Sequence, residues 1–151
     1  MLTQVKFARI KPSAKLPYRA TPGSGGADLF ACVDDLCGLT IQPHETVLVG
    51  TGIKAEFANG YVALVYARSG LATKKHMAPA NKVGVIDADY RGEWMVPLHN
   101  HSNQPQVIED GERIAQDIFH EVEFPEFVEV SEDELTDTTR GEGGIGSTGT
   151  K

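Results

Sequence analysis

The sequence predicts a mainly β protein built from short strands and tight turns. Sixteen glycines and eight prolines among 151 residues, with only 7% aromatic residues, require many turns. Runs such as Tyr61–Tyr66 (YVALVY) and Thr46–Phe57 are rich in Val, Leu, Ile and Thr. The length suits one folding unit with a sizeable core.

Residues Val5 to Ile10 alternate and read as a strand. Lys11 to Pro22 is a loop. Pro22 to Gly26 is a tight turn, because glycine takes positive φ at no steric cost. Ala27 to Cys32 follows as a strand. Gly38 to Gln42 and Thr46 to Phe57 are strands, the second broken by a bulge or turn at Gly50 and Gly52. Asn59-Gly60 signals a hairpin before Tyr61–Tyr66, the clearest buried strand. Ser69 to His76 suits one or two helical turns, with Ser69 as N-cap. Val83 to Ile86 is a strand ending in acids, and Glu93 to Leu98 is a strand interrupted by Pro97. Apolar residues at 114, 115, 118, 119 and 122 match a helical stripe better than a strand. From Val128 onward the chain is acidic, then glycine-rich, with almost nothing to bury, which predicts a flexible tail.

The charge distribution narrows the function. The net charge is −7, yet nine of the 21 acids lie between Ile114 and Thr139, where there is no Lys or Arg. That balance argues against a duplex nucleic-acid binder, while a few placed arginines suit a small anion. No apolar run approaches the roughly 20 residues that span a bilayer. The N-terminal MLTQVKFARIKP lacks the features of a signal peptide. Two cysteines make no disulfide scaffold. Together these predict a cytoplasmic or organelle-matrix protein (in the host cell's cytoplasm for a viral one) without a membrane partner.

Several groupings carry chemistry. Arg68-Ser69-Gly70 directly follows the strand Tyr61–Tyr66, so a guanidinium and a polar turn sit together as an anion site or as an ordinary cap. Val83 to Gly92 delivers Asp87, Asp89 and Tyr90 into a turn, either to bind a cation and activate water or to make a plain hairpin. Asp28 is a third acid beside a glycine turn. Cys32 and Cys37 lack the second pair of ligands of a zinc site and read as buried or half-buried thiols. His99 and His101 share one strand face without a third ligand. Gly144-x-Gly146-x-x-Gly149 imitates a dinucleotide fingerprint, but no helix follows to hold a pyrophosphate. Its glycines, with Ser147, Thr148 and Arg140, instead suit a segment that wraps a phosphate.

Five groups of residues, in order along the chain, resemble the motifs of the homotrimeric dUTP pyrophosphatases (dUTPases). They are Ser24-Gly-Gly-Ala-Asp-Leu29, Arg68-Ser-Gly-Leu-Ala72, Asn81 with Gly84-Val-Ile-Asp-x-Asp-Tyr-x-Gly92, Gly111-Glu-Arg-Ile-Ala-Gln116 and Arg140-Gly-Glu-Gly-Gly-x-Gly-Ser-Thr-Gly149. The resemblance implies an all-β, distorted jelly-roll-like β-sandwich (a β-clip) with one short helix. It implies a homotrimer with active sites at subunit interfaces, a β-domain over residues 1–127, and a C-terminal arm and phosphate-binding lid over 128–151. It makes Ile114 to Val122 a strand, and we adopt that over the helical stripe, since short apolar runs are ambiguous by periodicity.

The resemblance also implies a reaction, the Mg2+-dependent hydrolysis of dUTP to dUMP and pyrophosphate by in-line attack of water on the α-phosphorus. This keeps uracil out of DNA and supplies dUMP for dTMP synthesis. Asp87 matches the general base, and Asp28 the acid that meets the hydrated metal through water. Arg68, Ser69, Gly70 and Gln116 match phosphate contacts, with Ser69 near the scissile bridge. Tyr90 matches the ring under the deoxyribose, which excludes a 2′-hydroxyl. Asn81 and the backbone at Gly84, Val85, Ile86 and Met95 match the uracil contacts. Arg140, Ile145, Gly146, Ser147 and Thr148 match a lid over the nucleotide, with Arg140, Ser147 and Thr148 on the γ-phosphate. Ile145 stands where the family usually has Phe, Ala67 where Pro is common, and Glu112 where Asp is common. A dCTP deaminase-type relative and a dUTP-gated regulatory trimer are the alternative readings.

Overall fold

A computed structural model describes residues 1–144. Eleven strands lie among them: β1 (Lys6–Arg9), β2 (Ala27–Phe30), β3 (Leu39–Ile41), β4 (Thr46–Gly50), β5 (Ile53–Glu56), β6 (Tyr61–Tyr66), β7 (Met77–Pro79), β8 (Gly84–Asp87), β9 (Met95–Asn100), β10 (Gln106–Ile108) and β11 (Arg113–Glu121). The helix α1 (Ser69–Lys74) and a 3-10 turn at Glu132–Glu134 complete the elements. Two sheets, ordered β2-β11-β6-β8 and β4-β9-β7, are accompanied by the two-stranded ribbons β1-β5 and β3-β10. Every pairing is antiparallel. The core joins inward residues of these layers, including Leu29, Ile41, Ile53, Leu98 and Ile114. Trp94 is its largest member, with Phe7 packed edge-on to it, 5.5 Å between ring centroids.

β11 is a strand along its whole length, paired with β2 on one side and β6 on the other. The register shifts between Arg113 and Ala115, and this bulge turns the consecutive residues Ile114 and Ala115 both inward. That doubling produces an apolar spacing that imitates a helix. β6 occupies the predicted residues, though its pattern alternates between buried and half-buried positions.

Four local expectations are corrected. The N-cap of α1 is Arg68, with no side-chain cap bond, and Ser69 is the first helical residue. Asn59-Gly60 does form a turn, with Gly60 at φ +88, but it joins β5 to β6, which belong to different sheets. Pro97 does not interrupt β9: its carbonyl accepts Ala80 N–H at 2.7 Å just past the end of β7, where that ladder has run out. Cys32 is buried, but Cys37 is exposed.

The glycine break in Thr46 to Phe57 is confirmed at Gly52. There φ is +68, and a Cβ would collide with Ala14 and Cys32. β7 and β10 had no signal in the sequence, being three residues each.

Candidate active site

β11 organises the first cluster. Gln116 lies opposite Asp28 on β2 and opposite Tyr66 on β6, so the three share one rank across the sheet. The chain leaves β6 through Ala67, whose carbonyl accepts from Gln116 Nε2 at 2.9 Å. Arg68 then turns back, and its Nε donates to Asp28 Oδ1 at 2.6 Å. Arg113 approaches from the bulge, with Nη1 3.2 Å from Asp28 Oδ2. Arg68 Nη1 also donates to the Arg113 carbonyl at 3.4 Å.

One buried carboxylate thus orients two guanidinium groups, and the cluster keeps a net positive charge suited to an anion. Gly26 leaves room for the Gln116 amide: a Cβ there would sit 2.7 Å from Gln116 Oε1 and push that side chain aside. Ser69 and Gly70 are exposed beside this cluster, with open space around Gly70.

The second cluster is the turn-and-strand segment Asn81–Met95. β8 is an edge strand, paired only with β6 among the described residues. Its other backbone edge is free to meet a ligand. Gly84 packs against Val65, where a Cβ would come within 3.2 Å, and beside Asn81 Nδ2 at 3.4 Å. A cleft of about 320 Å³ opens here, with Asn81, Gly84, Ile86, Asp87, Tyr90 and Met95 among its lining residues.

Asp87 ends β8 with its side chain exposed. Its carbonyl accepts Tyr90 N–H at 3.1 Å. The Tyr90 hydroxyl donates to the Glu93 carbonyl at 3.1 Å, and its ring lies where a Cβ on Gly92 would be. The ring is therefore fixed from two sides. Asp89 is exposed and points to no metal cluster; no group of three or more His, Cys, Asp or Glu suited to a metal lies among the described residues.

The two clusters are not brought together within one chain. Gly84 lies opposite Val65 and Asp87 opposite Val62, while Arg68 lies beyond the other end of β6. Six residues of extended chain put Asp87 and Arg68 roughly 20 Å apart along the sheet.

Arg140 is exposed, and its Nε donates to the Gly143 carbonyl at 2.7 Å within its own turn. It makes no hydrogen bond or ion pair to either cluster among the described residues. Ile145, Gly146, Ser147 and Thr148 lie outside the described residues.

Arg113 joins the Asp28 cluster although the sequence reading does not single it out. Its signal was its place between Gly111 and Gln116. Asp117 was also missed: it is buried on the opposite face of β11 from Gln116, and one of its oxygens has no partner among the described residues. Burial pushes its carboxyl up to about 6. Among the described residues no helix is long and apolar enough to cross a membrane.

A dUTPase family model matches residues 12–149. The deoxyuridine 5'-triphosphate nucleotidohydrolase of Hydrogenobaculum sp. (strain Y04AAS1) is 49% identical over 143 residues, covering 95% of this chain and 96% of that protein. The protein of the same name from Desulfitobacterium hafniense (strain Y51) is 47% identical over 147 residues, covering 97% and 95%. Among solved structures, the dUTPase of Staphylococcus bacteriophage 80alpha with dUpNHpp superposes with a TM-score of 0.82 at 25% identity, covering 97% of this chain and 98% of that one. Family match, near-full-length relatives and shared fold agree: the chain belongs to the dUTPase family and is a dUTP diphosphatase.

Proposed function

We propose that this enzyme hydrolyses dUTP to dUMP and pyrophosphate at sites shared between copies of the chain in a homotrimer. The observation that carries this reading is the separation of the two clusters by roughly 20 Å along β6. A phosphate cradle and a base cleft so placed serve one nucleotide only if the cradle of one copy faces the cleft of another.

In this reading the free edge of β8 at Gly84, Val85 and Ile86, with the Asn81 amide and the backbone at Met95, reads uracil as a pairing edge would. The fixed ring of Tyr90 lies under the deoxyribose and leaves no room for a 2′-hydroxyl. Arg68, Ser69, Gly70 and Gln116 hold the phosphates. Asp87 orients a water in line with the α-phosphorus and takes its proton as the new P–O bond forms, and pyrophosphate leaves. The arm and lid, residues 128–151, bring Arg140, Ile145, Gly146, Ser147 and Thr148 over the bound nucleotide.

The donor set fits Mg2+ only in one way. Both Asp28 oxygens already face guanidinium groups, so direct ligation there is disfavoured and contact through water is what remains. Mg2+ carried on the triphosphate would neutralise its charge, and Asp28 would reach the metal's hydration shell.

The test is product analysis with dUTP, dCTP, dTTP and UTP in the presence of Mg2+. Release of dUMP and pyrophosphate from dUTP alone, with kcat reduced at least about 100-fold in Asp87→Asn, is the expected result. Deamination of dCTP, or tight dUTP binding without turnover, would overturn it in favour of a deaminase or a regulatory trimer. A monomer that retains full activity in sedimentation-matched assays would overturn the shared site.

A further inference from the structure

The segment that carries Ser69 and Gly70 cannot hold itself in place. α1 is six residues long, its N-cap Arg68 makes no side-chain cap bond, and its first turn contains no acid. So short a helix is unstable alone in water. Leu71 is its only buried residue, and one apolar anchor leaves rotation about that anchor free.

Both ends of the segment are instead tied to one turn. At the front, Arg68 is gripped by Asp28, which Arg113 also holds. At the back, the C-cap residue Lys75 donates from Nζ to Glu112 Oε1 at 2.7 Å and to the Val107 carbonyl at 2.8 Å. Glu112 is itself fixed: Oε2 accepts Glu109 N–H at 3.1 Å, and its carbonyl accepts Ala31 N–H at 2.8 Å. The Lys75 and Glu112 side chains are 34% and 22% exposed, so water and salt screen this pair less than a free surface pair. Glu112 and Arg113 are consecutive. The Glu112–Arg113 stretch therefore meets residues 68–75 at both ends: at the front the Arg113 carbonyl accepts from Arg68, whose guanidinium shares Asp28 with Arg113, and at the back the Glu112 carboxylate holds Lys75.

We propose that Lys75 is a positioning residue for dUTP hydrolysis, acting through its ion pair with Glu112 to hold Ser69 and Gly70 against the substrate phosphates. This rests on the reading of Arg68, Ser69 and Gly70 as phosphate contacts. Lys75 itself touches no substrate. A small error in the placement of such groups costs rate steeply, which gives the distal pair its leverage.

The experiment is a double-mutant cycle in the full-length enzyme: Lys75→Met, Glu112→Gln and the double variant, with Lys75→Arg as the conservative control and Arg68→Gln in parallel. Readouts are kcat and KM for dUTP, the affinity for deoxyuridine, which has no phosphate, and Tm. Each single variant is expected to lower kcat/KM for dUTP by about tenfold. The double variant is expected to be no worse than either single, because both remove the same contact. Deoxyuridine affinity should stay at the wild-type value, and Lys75→Arg should restore most of the rate.

Unchanged kcat/KM with a lowered Tm would make the pair merely structural and overturn the proposal, as would additive losses or an equal loss of deoxyuridine binding. If Lys75→Met does not fold, Glu112→Gln, which keeps the side-chain shape, decides by the same criteria. Wild-type kcat/KM in Arg68→Gln would overturn the phosphate reading, and the positioning role with it. A crippled Arg68→Gln beside an unaffected Lys75→Met would overturn the positioning role alone.

Discussion

Asp117→Asn is expected to stabilise the protein at neutral pH. Asp117 is 2% exposed, in the middle of β11 and on the same face as the buried Ala115 and the half-buried Phe119. Its Oδ1 has no partner among the described residues, and Arg19, the charge that favours its ionised form, is not in ion-pair contact. Burial raises the carboxyl from the ordinary 3.8 to about 6.

The folded protein therefore binds this proton more tightly than the unfolded chain does. Stability is fully present below about pH 4, falls as pH rises from about 4 to about 6, and levels off above that. The gap of roughly two pKa units corresponds to about 3 kcal/mol of destabilisation at pH 7.5. Asparagine keeps the size and removes the charge. For a chain of this length, a gain of that order raises Tm by roughly 6–12 °C. Thermal melts of both proteins at pH 7.5, 6.0 and 4.5, at one fixed concentration, test this. The Tm difference should be largest at pH 7.5 and shrink to about a third of that at pH 4.5. A variant that melts no higher than wild type at pH 7.5, or a difference that does not shrink on acidification, would mean that the ionised carboxylate has a partner and that the burial argument fails.

Three further outcomes are expected. Asp28→Asn removes the anion that orients Arg68 and Arg113, so kcat/KM for dUTP should fall, with a loss of about 1–3 kcal/mol in urea unfolding. Gly92→Ala places a methyl group in the Tyr90 ring, and the displaced ring should raise UTP turnover relative to dUTP, read as a ratio of kcat/KM values. Ile145→Phe, by offering a stacking face to the base, should lower KM for dUTP with little change in kcat; unchanged values of both would refute a role for this position in the lid.

The sequence by itself determined what depends on neighbours along the chain. The residues of β6, the turn at Gly52 and the place of α1 follow from local pattern and glycine chemistry. The family was legible from five short motifs, because motif residues are chosen by the ligand and not by distant packing.

The tertiary structure decided what depends on partners far apart in sequence. β11 is a strand because β2 and β6 flank it on both sides, and its bulge scrambles the period that would have announced it. Pro97 is tolerated in β9 because β7 stops where its N–H would be needed. The engagement of both Asp28 oxygens by Arg68 and Arg113, 40 and 85 residues away, has no local signature. Nor has the burial of Asp117, since a carboxylate reads as a surface residue until the strands on either side close over it. The separation of Asp87 from Arg68 along β6 is likewise a property of register, and a one-residue slip would turn every side chain to the other face.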